Sequence, residues 1–160
     1  MRVAIRERSE TTAGGWLGIM VLAALLAAGC SSQQVATEGI QFQVAPRANR
    51  NAPVALDLVL IFDPTLLQMV RKFSAAQWFE HKEQLMQRFP EQLLTWEWEV
   101  VPGAAPGPFS LPKQASDALG VLLFANYGTP GLHSARLDPY RRVLIRLDEN
   151  ALRVFPIEYH

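Results

Sequence analysis

Of the 160 residues only Cys30 is a cysteine, which excludes an intramolecular disulfide, a zinc knuckle and a cysteine nucleophile inside a folded domain. Histidine is almost as scarce: His81, His133 and His160 stand too far apart for a metal pair one helical turn apart, so no metal is expected. Neither sign of charge is in excess, with Lys plus Arg and Asp plus Glu at 15 each, and no block of like charge occurs. That balance leaves no electrostatic footprint for nucleic acid or for an anionic membrane surface. A Gly-rich phosphate loop, a nucleophile elbow and a Ser-x-x-Lys motif are all missing. The sequence therefore reads as that of a protein that is not an enzyme. No apolar run reaches the roughly 20 residues that span a bilayer core.

What is present begins at the N-terminus. Arg2, Arg6 and Arg8 precede an apolar stretch, Trp16 to Ala28, too short to span a membrane but suited to an export signal. Leu26-Ala27-Ala28-Gly29 then runs straight into Cys30, which resembles the lipobox of bacterial lipoproteins. That resemblance implies cleavage before Cys30, a thioether to diacylglycerol on its sulfur and acylation of the new amine. Two or more acyl chains hold a protein stably, at about 0.8 kcal/mol per buried CH₂. Lipidation also accounts for a lone thiol in an oxidising compartment. A covalent lipid on Cys30 is the one non-protein group expected. In lipoproteins of that class, Ser31 at the second mature position implies delivery to the outer membrane, facing the periplasm.

The expected organisation is a signal peptide over residues 1–29, a lipidated flexible tether over 30–39 (CSSQQVATEG) and one periplasmic domain over 40–160. Ile40, Phe42 and Val44 alternate with glutamines, the period of a half-buried strand. Asn49-Arg50-Asn51-Ala52-Pro53 is turn material, because Asn tolerates left-handed backbone. Val54 to Phe62 is nearly continuous in apolar residues, broken by Asp57, and reads as a central strand. Asp63-Pro64 opens one helix, with Leu66, Leu67 and Val70 on a face, and the Ser74…Gln77 spacing caps a second that carries Trp78, Leu85, Met86 and Phe89 as far as Pro90. Leu94, Trp96, Trp98 and Val100 alternate with Thr95, Glu97 and Glu99 as a third strand. Phe109 and Leu111 mark a short edge strand, Leu119 to Tyr127 a buried one, and Arg142–Leu147 with Leu152–Phe155 a terminal hairpin turning at Asp148-Glu149-Asn150. Strands with a single helical insertion, between the second and third, predict a mainly β protein: an antiparallel β-sandwich with helices on one side.

Candidate functional residues are few. Glu97 and Glu99 lie on one strand face, where a carboxylate pair could serve acid–base chemistry, but alternation with two indoles makes that face a solvated one. Trp96 and Trp98 read as core residues; a stacking surface for a small ligand or cell-wall fragment is the alternative. The loop from Arg47 to Pro53 differs in kind. It carries two arginines and two asparagines between rigid strands, and recognition resides on such loops.

The order of features after Cys30 resembles the TssJ family (SciN or VasD), the outer-membrane lipoprotein of the type VI secretion membrane complex. The resemblance is carried by the first strand ending near Val44, the Asn-containing loop closing with Ala52-Pro53-Val54, Leu60-Ile61-Phe62, the helical insert with Trp78-Phe79, Val101-Pro102-Gly103, and Leu119 to Ala125. It covers most of the mature chain. It implies a transthyretin-like β-sandwich tethered to the outer membrane, binding the periplasmic domain of the inner-membrane protein TssM through the loop between the first two strands. The residues of this chain in that loop are Arg47, Asn49, Arg50 and Asn51. Arginine suits such a contact, since its planar donors engage a partner's carboxylates or carbonyls bidentately.

Overall fold

A computed structural model describes residues 35–158. The leader expected over 1–29, Cys30, the residues as far as Gln34, and His160 lie outside the described residues. The strands are β1 (Gly39–Val44), β2 (Val54–Ile61), β3 (Leu93–Val100), β4 (Phe109–Ser110), β5 (Gly120–Asn126), β6 (Ser134–Arg136), β7 (Arg142–Leu147) and β8 (Leu152–Pro156). Helices α1 (Pro64–Val70) and α2 (Ala75–Arg88) form the insertion between β2 and β3. Two four-stranded sheets result, ordered β4-β1-β7-β8 and β3-β2-β5-β6, so the mainly β sandwich with one helical insertion is the architecture observed.

Alternation explains most of the strands. Ile40 and Val44 turn into the space between the sheets while Gln41 and Gln43 face water. β2 is apolar on both faces because both are covered. Leu56, Leu58 and Leu60 meet the first sheet, whereas Val59 and Ile61 lie under the helices with Leu66, Val70 and Trp78. Both helix starts take the form read from sequence. Asp63 accepts the Leu66 N–H at 2.7 Å with Pro64 at the first helical position, and Ser74 and Gln77 form a reciprocal capping box. The aromatic face of α2 packs as expected: Trp78 is fully buried and stacks on Phe124 at 5.0 Å between ring centres. α1 approaches β5 so closely that a Cβ at Gly120 would come within 2.6 Å of the Leu67 Cδ1.

Three features differ from the sequence reading. β1 pairs with β7 in parallel, in a sandwich whose other ladders are antiparallel. The two strands are separated by the whole second sheet, and local alternation carries no information about strand direction. β6 has no counterpart in the sequence pattern, because Ser134-Ala135-Arg136 has no apolar period. Part of the segment read as tether is laid onto the domain: Val35 and Thr37 are buried, the Ala36 N–H donates to the Asp138 carbonyl at 2.9 Å, and the Thr37 hydroxyl donates to the Leu137 carbonyl at 2.7 Å. A small polar segment can be ordered by backbone pairing even where its side chains bury little apolar area.

Candidate functional site

β1, β5 and β7 all run toward one end of the sandwich, which the β1–β2 loop shares with the β3–β4, β5–β6 and β7–β8 connections. The described chain begins at the opposite end. A path of about 20 Å along β1, at ~3.3 Å per residue, separates the two.

The loop is built from an uncommon backbone. Asn49, Arg50 and Asn51 stand consecutively in the left-handed region, with φ of 47°, 55° and 68°. The left-handed tolerance expected of the asparagines is used at both. For Arg50 the same conformation costs about 1–2 kcal/mol, since its Cβ crowds the following carbonyl. Such a run persists only where its surroundings over-determine it. Here they do: Asn49 is only 7% exposed, its Nδ2 donates to the Pro53 carbonyl at 2.9 Å, and its Oδ1 accepts the Gly128 N–H at 2.8 Å. The Asn49 N–H reaches the Asp148 carbonyl, and Gly103, itself at φ 75°, donates its N–H to the Ala45 carbonyl at 3.1 Å. Asn49 is therefore an internal clip from the loop to the β5–β6 connection, with both ends of its amide engaged. That separates it from the other three residues singled out from sequence.

Arg47, Arg50 and Asn51 are exposed. The Arg47 guanidinium lies 3.2 Å from Glu149, a pair with side chains 73% and 41% exposed, and Arg50 Nε donates to the Asn150 Oδ1 at 3.3 Å. Exposed pairs of this kind contribute about 0–1 kcal/mol and exchange readily for a better partner. Behind them Asp148 holds Arg146 and Arg153, and the Tyr127 hydroxyl is shared between the Asp148 and Ala151 carbonyls at 3.0 Å each. Burial, aided by the charge of Asp148, pushes the Tyr127 hydroxyl up to about 12, so it is a fixed donor at neutral pH. Tyr127 also stacks on His133 at 4.5 Å. The turn Asp148-Glu149-Asn150 and Tyr127 belong to this end of the molecule but carried no functional signal in sequence. The approach of Glu149 and Asn150 to the two arginines spans about 100 residues of chain and is visible only in the fold.

The remaining sequence candidates fall elsewhere. Trp96 and Trp98 are half-buried and close the sandwich beside its core; Phe109 packs against them at 5.6 and 5.1 Å, and Phe42 against Trp98 at 5.8 Å. With rings filling the space, they form a packed aromatic edge rather than an open stacking cleft. Glu97 and Glu99 do not form a pair. Glu97 meets Lys82 at 3.0 Å, and Lys82 also meets the buried Asp57 at 2.9 Å. Asp57 further accepts the Trp78 indole N–H at 2.8 Å. Burial raises the Asp57 carboxyl above its usual range against these partners. Burial alone would lower the Lys82 ammonium, but its hydrogen bonds to Asp57 and Glu97 outweigh that and raise it. This cluster ties α2 to the sheet beneath it.

Comparison with known proteins gives a consistent fold. No protein-family model and no curated protein sequence matches the chain. Among solved structures, the type VI secretion lipoprotein TssJ1 of Pseudomonas aeruginosa aligns over 76% of this chain and 96% of its own, with a TM-score of 0.58 and 17% identity. Lip of Serratia marcescens, described as a membrane-bound component of the type VI secretion system, aligns over 76% and 97%, with a TM-score of 0.57 and 12% identity. A chain of a structure described as the TssM C-terminal domain from EAEC aligns over 74% and 98%, with a TM-score of 0.51 and 14% identity. At these identities the likeness is one of fold.

Proposed function

We propose that this chain is an outer-membrane-anchored lipoprotein of a type VI secretion membrane complex, and that its β1–β2 loop binds the periplasmic domain of a TssM-like inner-membrane protein. The lipobox-like run into Cys30 supports the anchor, and the fold shared with two type VI lipoproteins supports the setting. A TssM structure among the neighbours is consistent with that partner. The role is structural: an anchored sandwich fixing a trans-envelope assembly to the outer membrane.

The observation that carries the reading is the left-handed run, clipped from inside by Asn49, that holds Arg47, Arg50 and Asn51 outward. A loop already ordered meets little conformational cost when it binds, and its two guanidinia are held only by weak exposed contacts. Four residues lie between Cys30 and the packed Val35, and the five extended steps reach at most about 18 Å, so on this reading the lipid holds the domain close to the bilayer through the end opposite its loop. Replacing Arg47 and Arg50 by Glu should abolish capture of a TssM-type periplasmic domain in a pull-down while leaving the thermal midpoint unchanged. Undiminished capture by the folded variant removes the loop from the account.

A further inference from the structure

A second surface lies at the free edge of β6. In its sheet β6 has β5 on one side only. The Ala125 N–H donates to the His133 carbonyl at 2.9 Å and the Leu137 N–H to the Val121 carbonyl at 2.8 Å, with Ala135 opposite Leu123 between them. By the alternation of an antiparallel ladder, the N–H and C=O groups of Ser134 and Arg136 then point away from β5. Among the described residues no strand pairs with that edge. Unpaired backbone of this kind is a template for an added strand.

The two faces beside the edge differ in chemistry. On the outer face an open groove of about 350 Å³ has Leu122 and Phe124 among its lining residues together with Leu132, Arg71, Lys72 and Arg136. Leu132 is 72% exposed and stands at the rim of this groove, beside its apolar lining. Arg71 and Lys72 are exposed, and no ion pair is found for either among the described residues. Arg136 is held by the fully buried Asp138 at 2.7 Å, so that carboxylate is already engaged. On the inner face β8 runs close to β6, and Ala135, Leu152 and Val154 lie half-buried at the margin of the core.

We infer that this edge and its groove bind an extended segment of another protein in which acidic and apolar residues alternate. An added strand places successive side chains on opposite faces, so its carboxylates would meet the cations and its apolar residues the Ala135–Val154 margin. Charge decides among the possible occupants. A second copy of this chain would set Arg71, Lys72 and Arg136 against themselves. A flat anionic membrane would meet the cations but leave the strand edge and the recessed floor unused. The surface stands apart from the arginines of the β1–β2 loop, and the inference does not rest on the reading of that loop.

The test is fluorescence anisotropy of the purified full chain in non-ionic detergent with a fluorescein-labelled octapeptide alternating Asp and Val. Saturable binding is expected, weakened by at least about tenfold in the double variant Arg71→Glu, Lys72→Glu, and severalfold as salt rises from about 50 to about 500 mM. The same peptide N-methylated at alternate residues should not bind, because it cannot pair with the strand edge. Leu132→Asp, at a side chain already in water, gives an independent variant should the double one fail to fold, and it too should weaken binding. Absence of saturable binding, equal binding of a Lys/Val peptide or of the N-methylated one, or undiminished binding to the folded variants overturns the proposal. So does capture by phosphatidylglycerol vesicles without peptide binding, or a dimer in sedimentation that the variants dissolve.

Discussion

Replacing Lys82 by Met should cost far more than the loss of a surface charge. The Lys82 side chain is 14% exposed and bridges Asp57, 2% exposed, and Glu97. Met keeps the stem length and its packing but removes the cation, which also lies 5.1 Å from the centre of the Phe79 ring. Breaking a buried ion pair from one side costs about 3–5 kcal/mol, because the surviving charge is left uncompensated. Here the lower end, about 3 kcal/mol, applies, since Trp78 still donates to Asp57. For a domain of this size that corresponds to a fall of roughly 10–15 °C in Tm.

A thermodynamic cycle isolates the cause. In an Asp57→Asn background the amide carbonyl still accepts from Trp78 and no buried charge remains, so Lys82→Met should cost under about 1 kcal/mol, a coupling of about 2 kcal/mol. The pH dependence gives a second check. Asp57 has its folded pKa raised above 3.8 by burial, and without Lys82 it rises further. A group raised in the folded state contributes stability that is complete below its unfolded pKa and lost as pH rises through its folded pKa. The gap between variant and wild type should therefore be small in acid and open as pH rises between the two folded pKa values. Urea titrations at a series of pH values measure both quantities. Equal cost in the two backgrounds, or a gap indifferent to pH, would refute the argument.

Asn49→Ala should lose about 2–3 kcal/mol, from two hydrogen bonds and a left-handed residue without its side-chain compensation, read as a lower urea midpoint. Tyr127→Phe removes a shared hydrogen bond worth about 1 kcal/mol. The Tyr127 hydroxyl is raised from 10.0 to about 12, so its contribution should be complete below pH 10 and vanish as pH rises through about 12, where the Tm deficit of the variant closes. Cys30→Ser should end incorporation of labelled palmitate in bacteria and release the protein from the membrane fraction; unchanged fractionation would remove the lipid anchor from the proposal.

Much of the fold was legible because its signals are local. The glutamines of β1 and the glutamates of β3 mark wet faces by alternation, and Ser74 and Gln77 mark a helix start by chemistry three residues apart. What stayed hidden depends on distant partners. Nothing in Ser134-Ala135-Arg136 announces a strand, since that strand exists through its register with β5, and nothing in Ile40 to Val44 tells a parallel neighbour from an antiparallel one. Asp57 interrupted an apolar strand without explanation until Trp78 and Lys82 were found above it, 21 and 25 residues on.

The loop shows how the same limit bears on function. Four polar residues in a turn gave one undivided signal, yet the structure separates them by direction: Asn49 turns inward to Gly128, 79 residues away, while Arg47, Arg50 and Asn51 face water. The two groups depend on each other. A left-handed arginine costs about 1–2 kcal/mol, and without the clip that cost would be relieved by letting the loop fluctuate, leaving a partner to bear the ordering entropy of several residues at about 1–2 kcal/mol each. The buried amide thus turns a strained turn into a preordered one. If the loop is the contact surface proposed, Asn49→Ala should weaken partner binding even under conditions where the variant is fully folded, although Asn49 itself is turned away from any partner.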